Sequence, residues 1–304
     1  MSSRQSPKVT VLMGGPSAER DVSLSSGREC AAALREAGYD VSELDAGTDL
    51  CARLTASAPD VVFNALHGRW GEDGSVQGIL EWLKIPYTHS GVLASALAMD
   101  KTRSKDVFAR AGIPVVESAM FDKVEVSATH VMTPPYVAKP NNEGSSVGIY
   151  IVQDRANQPP TLGPEMPDRV MVEAYVPGRE LTTTVIGDRA LAVTEIITSG
   201  WYDYAAKYET GGSSHVVPAE VPDDVSDACL THALRAHQAI GCRGVTRTDF
   251  RWDEDKGVDG LIALEINTQP GMTPTSLVPE QAGKVGIAFP ELCDWMVKDA
   301  SCDR

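Results

Sequence analysis

Leu264–Met272 reads LEINTQPGM and places a carboxylate, a carboxamide, a proline and a glycine at the end of an apolar run. In an extended strand, residues i and i+2 point to the same side, so Glu265 and Asn267 project together. An earlier segment, RTDF, presents Arg247 and Asp249 with the same spacing. If the two segments pair as a hairpin, three oxygen-bearing side chains and one guanidinium converge. Carboxylates and a carboxamide without His or Cys suit Mg²⁺ rather than zinc. Magnesium with so few protein ligands shares its shell with phosphate oxygens and water. The bland alternative is a surface salt bridge of Arg247 with an acid, and spacing alone does not choose between them.

A phosphate-bearing ligand would need cations elsewhere. Lys139 closes the apolar run YVAK and precedes the flexible NNEGSSVG, whose backbone N–H groups could turn toward an anion. Lys101, in AMDKTRSK, could add a second positive charge from a helix start, or could simply be solvated. The chain has no GxxxxGK[ST], which excludes a P-loop. GGPSAERD follows the first apolar run but lacks GxGxxG, which excludes a dinucleotide turn. Glu19 in that loop could grip an ammonium group, although helix capping is the default role for such an acid. His67, followed by Gly68, Gly71 and Gly74, is either a turn residue or a functional one.

These residues need a scaffold. VTVLM predicts a buried strand, SSGRECAAALREAG a helix ending at Gly38, DVVFNAL a second buried strand and GSVQGILEWLKI a helix. This is βαβ logic, with functional loops at the C-terminal ends of parallel strands. KTRSKDVFARAG predicts a helix stopped by Gly112 and Pro114, and YVAKP and GIYIV predict short strands. Four prolines within 153–169 exclude a long helix there. RVMVEAYV, RELTTTVIG and RALAVTEI alternate as antiparallel strands do, and residues 200–216 read as a polar loop. A helix at about 223–240 leads to strands GVTRTDFRW and GLIALEIN, and FPELCDWMVKDA closes the chain as an amphipathic helix.

The 304 residues allow two or three domains, with 42% apolar and 23% charged side chains as in soluble globular proteins. A net charge of −15 argues against a nucleic-acid partner, which requires a basic surface. No segment approaches the ~18 apolar residues of a membrane span, and no export signal opens the chain, so the expectation is a cytoplasmic protein with no membrane partner. Six scattered cysteines without a CxxC pair fit reduced thiols.

Taken in order, VLMGGPSAERDVSLSSG, NALHGRWGEDGSVQGILEWLKIPYTHSG, AMDKTRSK, AKPNNEGSSVGI, VEAYVPGREL, YDYAAKYETGGSSHVVPAEVP and LEINTQPGMTPTSLVPEQA closely resemble the D-alanine–D-alanine ligases of the ATP-grasp superfamily. The resemblance covers nearly the whole chain. It implies an α/β fold, α+β in the ATP-grasp lobes, with three domains: an N-terminal parallel-sheet substrate domain (1–90), a small lobe (91–175) and a large C-terminal lobe (176–304). The 153–169 stretch departs from the family in being shorter and richer in proline than its usual helical connection.

The resemblance further implies ATP between the two lobes, joining two D-alanine molecules for peptidoglycan synthesis in a homodimeric enzyme. By that likeness Asp249, Glu265 and Asn267 hold two Mg²⁺ ions, with Mn²⁺ as a substitute. Lys101, Lys139, Ser146 and Lys207 match residues at the ATP phosphates. Glu173, Tyr175, Val176 and Glu180 match the adenine and ribose side. Arg247 and the Gly271 N–H match the groups that serve the tetrahedral oxyanion. Glu19, with His67 nearby, matches the site of the first D-alanine, and Ser276 and Leu277 that of the second carboxylate. Tyr208 and Ser145 match a hydrogen-bonded pair that links a covering loop to Glu19. The rivals are an ATP-grasp carboxylate–amine ligase with another second substrate, and a nucleotide sensor without catalysis.

Overall fold

The computed structural model describes residues 6–144, 148–198, 212–273 and 275–302. Its first layer is a parallel sheet in the order β2-β1-β3, with β1 (Lys8–Met13) at the centre, β2 (Asp40–Asp45) and β3 (Val61–Asn64). β1 is buried at five of six positions, as its unbroken apolar run requires. β2 has no counterpart in the sequence expectations. Its sequence, DVSELD, buries only Leu44, because an edge strand needs little apolar surface. The helix α1 (Arg20–Glu36) begins five residues earlier than its apolar pattern predicts and crosses β1 closely at Gly27, where a Cβ would lie 2.5 Å from that of Met13. Two shorter helices complete the layer, α2 (Leu50–Ser57) and α3 (Ser75–Leu83).

Two antiparallel sheets follow. The four-stranded sheet has the order β4-β7-β5-β6, from β4 (Ser118–Asp122), β5 (Tyr136–Lys139), β6 (Tyr150–Val152) and β7 (Arg169–Ala174). The proline-rich stretch forms no helix and contributes Leu162 and Met166 to the core of this sheet. The five-stranded sheet runs β10-β9-β8-β11-β12, from β8 (Arg179–Ile186), β9 (Arg189–Ile197), β10 (Ser214–Val216), β11 (Val245–Trp252) and β12 (Leu261–Asn267). The three alternating segments of 170–197 therefore divide between two sheets. The break is at Pro177–Gly178, where Gly178 takes φ +96° and approaches Trp252 so closely that no side chain would fit. Ser214–Val216, expected to be loop, pairs with β9.

Helices α4 (Val92–Met99) and α5 (Lys101–Arg110) meet at Asp100, whose side chain accepts from the Arg103 N–H and caps α5. Ala94, Ala98 and Phe108 on these helices share a core with Leu181, Phe250 and Ile266 of the five-stranded sheet. The same core is closed by α7 (Asp223–Ile240); α6 (Lys123–Ala128) lies on the four-stranded sheet. Two more helices end the chain, α8 (Leu277–Lys284) and α9 (Phe289–Asp299). Leu292, Cys293 and Met296 of α9 return to the first layer, packing with Val9, Ala31 and Leu34, and Tyr39 donates to Asp294 Oδ1 at 2.8 Å. Among the described residues no helix is long and apolar enough to cross a membrane.

His89 sits where the first layer meets β11, in a left-handed conformation (φ +69°) and 1% exposed. Its Nδ1 is 3.5 Å from the Val245 carbonyl, and its Nε2 has no partner among the described residues. Burial pushes its pKa down to about 3 from 6.5. The unfolded chain therefore binds a proton that the fold refuses, and stability falls as pH drops through that window, by at most about 1.4 kcal/mol per pH unit. Asn tolerates the same backbone conformation. His89→Asn is expected to lose less stability than the wild type between pH 6.5 and 4, measured by urea unfolding at both pH values.

Candidate functional site

The expected hairpin forms. β11 and β12 pair antiparallel with Arg247 opposite Asn267 and Asp249 opposite Glu265, and β8 adds Thr184 and Thr182 in the same rows. The register shifts between Asp249 and Phe250, which leaves Leu264 as the extra residue of a bulge beside Glu265. Asp249 is 7% exposed and fully engaged: Arg247 donates to both carboxylate oxygens at 2.8 Å, and Thr182 Oγ1 donates to Oδ1 at 2.6 Å. Glu265 Oε2 is 2.9 Å from Lys101 Nζ, which also donates to the Glu143 carbonyl at 2.7 Å. Convergence and the Arg247 salt bridge are both realised, one through the other.

Between the four- and five-stranded sheets lies a cavity lined by Lys101, Lys139, Tyr175, Val176, Glu180 and Asp249, among others. At its wall Glu173, 4% exposed, accepts from Lys139 Nζ at 2.6 Å through one oxygen and from Lys105 Nζ through the other. Burial would push the Glu173 carboxyl up, but the two ammonium groups outweigh it and hold it down at about 2. Lys105 is lowered by burial against the pull of Glu173, whereas burial of Lys139 is outweighed by its acidic neighbours, which raise it. Glu180 lies 3.7 Å from Arg251, whose Nε donates to the Val176 carbonyl at 3.3 Å.

A second cavity adjoins the first and shares Lys101, Glu143, Gly144 and Glu265 with it. Glu19, His67, Arg247, Asn267, Gly271, Ser276 and Leu277 all line it. Glu19 stands at the start of α1 without capping it, contrary to the default for an acid there. Its carboxylate instead occupies space over Gly68 and Gly144, where an added Cβ would lie 3.1 and 2.7 Å from Oε1. His67 is 4% exposed, with Nδ1 3.3 Å from Glu72 Oε1 and Nε2 3.1 Å from Ser26 Oγ. A carboxylate only accepts, so Nδ1 carries a proton toward Glu72, while Nε2 meets the Ser26 hydroxyl. Ser26 Oγ in turn accepts from the Met272 N–H at 3.3 Å, beside Gly271. Ser276 precedes α8, and its Oγ accepts from the Thr273 N–H at 3.0 Å.

All the sequence-derived site residues that are described thus fall in one pair of joined cavities; Ser145, Ser146, Lys207 and Tyr208 lie outside the described residues. Several site-shaping residues lie within the quoted motifs without having been singled out there. Gln269 accepts from Asn64 Nδ2 at 2.6 Å and donates to the Leu66 carbonyl, tying the segment after β12 to the first layer. Glu72 and Ser26 are similar. Lys105 alone had a readable sign, lying four residues after Lys101 on the same helical face.

The family model for the D-ala D-ala ligase N-terminus matches residues 43–90, and that for the D-ala D-ala ligase C-terminus matches residues 107–298. A D-alanine--D-alanine ligase of Ruegeria pomeroyi is 70% identical over 304 residues, covering 100% of this chain and 99% of that protein. One from Cereibacter sphaeroides is 68% identical over 303 residues, with 100% and 99% covered. Crystal structures of the Bacillus anthracis D-alanine--D-alanine ligase match with TM-scores of 0.81 (30% identity) and, for its complex with ATP, 0.80 (27% identity), each covering 97% of both chains. The chain belongs to the D-alanine–D-alanine ligase family.

Proposed function

We propose that this protein joins two D-alanine molecules at the expense of ATP, forming D-alanyl-D-alanine for peptidoglycan synthesis. The supporting observation is the pair of cavities that meet at Lys101, Glu143, Gly144 and Glu265. A phosphoryl donor in one can then face a carboxylate acceptor in the other. A carboxylate is a poor acyl donor, because its charge repels nucleophiles and oxide is a poor leaving group. Its oxygen attacks the γ-phosphorus, the bond to the β-phosphate oxygen breaks, and ADP and D-alanyl phosphate result. The amine of the second D-alanine attacks the acyl carbon, and phosphate departs with the C–O electron pair as the attacking nitrogen gives up its proton.

Glu19 receives the first ammonium group, and His67, held at both ring nitrogens, stands beside it. Arg247 and the Gly271 N–H face the tetrahedral oxyanion, whose charge they stabilise more than that of the planar ground state. Ser276 and Leu277, at the start of α8, hold the second carboxylate. Lys101 and Lys139, with Ser146 and Lys207, serve the phosphates; Tyr175, Val176 and Glu180 serve base and ribose, and Glu173 the base. Ser145 and Tyr208 keep the roles that the family resemblance implies for them. Asp249, Glu265 and Asn267 fit Mg²⁺ as hard oxygen donors in adjacent rows, now balanced by Arg247 and Lys101. Among the described residues no three acids, histidines or cysteines form a metal cluster, which suits ions that also take phosphate oxygens. Bound Mg²⁺ would neutralise charge on the transferring phosphoryl group.

The reading carries the three units 1–90, 91–175 and 176–304, a cytoplasmic location, where both substrates occur, and a homodimer. No nucleic-acid or membrane partner is assigned, in keeping with the acidic surface. Neither rival reading is favoured, since a sensor would not require the acceptor-side residues beside Arg247. The direct test is phosphate release. One phosphate per D-alanyl-D-alanine is expected, dependent on ATP, Mg²⁺ and D-alanine together; hydrolysis indifferent to D-alanine would refute the assignment.

Two substitutions separate the roles. Glu19→Gln keeps shape but removes charge, and a charged hydrogen bond lost here corresponds to about 1.5–3 kcal/mol. The KM of the first D-alanine is expected to rise at least tenfold with ATP affinity within twofold, measured by titrating each substrate separately. Asn267→Ala is expected to preserve the thermal transition, raise the Mg²⁺ concentration needed for half-maximal rate and lower turnover at least tenfold. An unchanged Mg²⁺ dependence would remove Asn267 from the metal set.

A further inference from the structure

Lys105 has no role in the reading above, yet it is among the most buried charged groups in the protein, its side chain 3% exposed. It lies behind Glu173, outside the lining of the nucleotide cavity, while Lys139 meets the other Glu173 oxygen from the cavity side. We propose that Lys105 is a positioning residue for the nucleotide: by keeping one oxygen of Glu173 permanently paired, it frees Lys139 to move from that carboxylate to a phosphate. The proposal rests on the nucleotide reading of this cavity.

The argument is one of charge. One carboxylate between two ammonium groups leaves the trio with a net charge of +1, held where water has little access. That surplus favours an anion in the adjoining cavity. When Lys139 turns to a phosphate, Glu173 is still balanced by Lys105, and its vacated oxygen can accept from an exocyclic amino group such as that of adenine. Without Lys105 the remaining pair is neutral and self-satisfied. Drawing Lys139 away would then strand a buried, unpaired carboxylate, which is heavily penalised. Lys105 therefore favours both halves of the exchange: release of the lysine and presentation of an ionised acceptor to the base.

Helix α5 makes the placement rigid. Lys101 and Lys105 are one turn apart, and each pairs with an acid on a different sheet, Glu265 on β12 and Glu173 on β7. Phe108, fully buried on the same helix, fixes α5 against the five-stranded sheet. Lys105 thus holds Glu173 in a fixed relation to Glu265 and to the phosphates between them.

The test uses Lys105→Met, which keeps length without charge, Lys105→Arg, Glu173→Gln, and the double variant Lys105→Met/Glu173→Gln. ATP and ITP, which lacks the exocyclic amino group, are titrated against each folded protein, and kcat and KM are measured with D-alanine saturating. Lys105→Met is expected to raise the Kd and KM of ATP at least tenfold with kcat within threefold, and to reduce the preference for ATP over ITP. Lys105→Arg should restore most of the affinity. In the Glu173→Gln background, Lys105→Met should cost less than threefold, because no carboxylate remains to be held. If the single Lys105→Met variant does not fold, the double variant decides alone, and a loss above threefold relative to Glu173→Gln overturns the proposal. An equal loss in both backgrounds, or ATP affinity and base preference unchanged in folded Lys105→Met, would reduce Lys105 to a structural residue. If Glu173→Gln itself leaves ATP affinity unchanged, the nucleotide role of Glu173 fails and the proposal falls with it. ATP binding weakened in Glu173→Gln but unchanged in folded Lys105→Met would instead overturn the Lys105 proposal and leave the nucleotide reading standing.

Discussion

The site depends on the register between β11 and β12. Pairing Asp249 with Glu265 and Arg247 with Asn267 puts two acids, an amide and a guanidinium on one face of a sheet whose other face is apolar core. Slipping one strand by a single residue would turn Glu265 and Asn267 into that core. The bulge at Leu264 allows the pattern to be kept while the strands continue to Trp252 and Leu261. Like charges directly opposite each other repel. Here each acid has its own cation, Arg247 for Asp249 and Lys101 for Glu265, so the concentration of charge is tolerable before any ligand arrives.

Those cations come from different directions, and that is how the separate sheets become one site. Arg247 belongs to the acids' own sheet, whereas Lys101 and Lys105 approach from α5 and reach acids on two sheets. Helix α5 is thus a clasp: its apolar residues join the five-stranded sheet, and its second lysine grips the four-stranded one. The strength of such contacts depends on burial. The Arg20–Asp45 pair on the first layer is nearly half exposed and screened by water, whereas the Lys105–Glu173 contact is shielded from it.

The second cavity is assembled differently, by hydrogen bonds through the first layer. Glu72, His67, Ser26 and the Met272 N–H form one line, while Asn64 and Gln269 form a second fastening a few residues away. Both fix the short segment between β12 and α8, one to α1 and one to the end of β3 and the residues just after it. Gly68, after β3, and Gly144, after β5, leave room for Glu19, since they are where its carboxylate approaches the backbone. Helix α9 then seals the apolar side of the first layer, so the end of the chain stabilises its beginning.

By itself, the sequence determined the elements with a dense local signal. The runs VTVLM, GVTRTDFRW and GLIALEIN became β1, β11 and β12, and the helix expected at 223–240 is α7. It also put Glu265 and Asn267 on one face, because residues at i and i+2 must share a face in any strand. The edge strand β2 and the short helices α2, α4 and α8 were not legible, since none exceeds eight residues and a period needs a longer window to show. Nor was the parting of β7 from β8, because alternation reveals that a segment is a strand and not which strand lies beside it. Only the tertiary structure decided that Glu19 leaves its helix uncapped to face a cavity, that Gln269 ties two layers together, and that Lys105 stands behind Glu173. Those outcomes rest on contacts between residues as much as 205 positions apart, and a charge pattern along the chain holds no record of which distant partner will neutralise it.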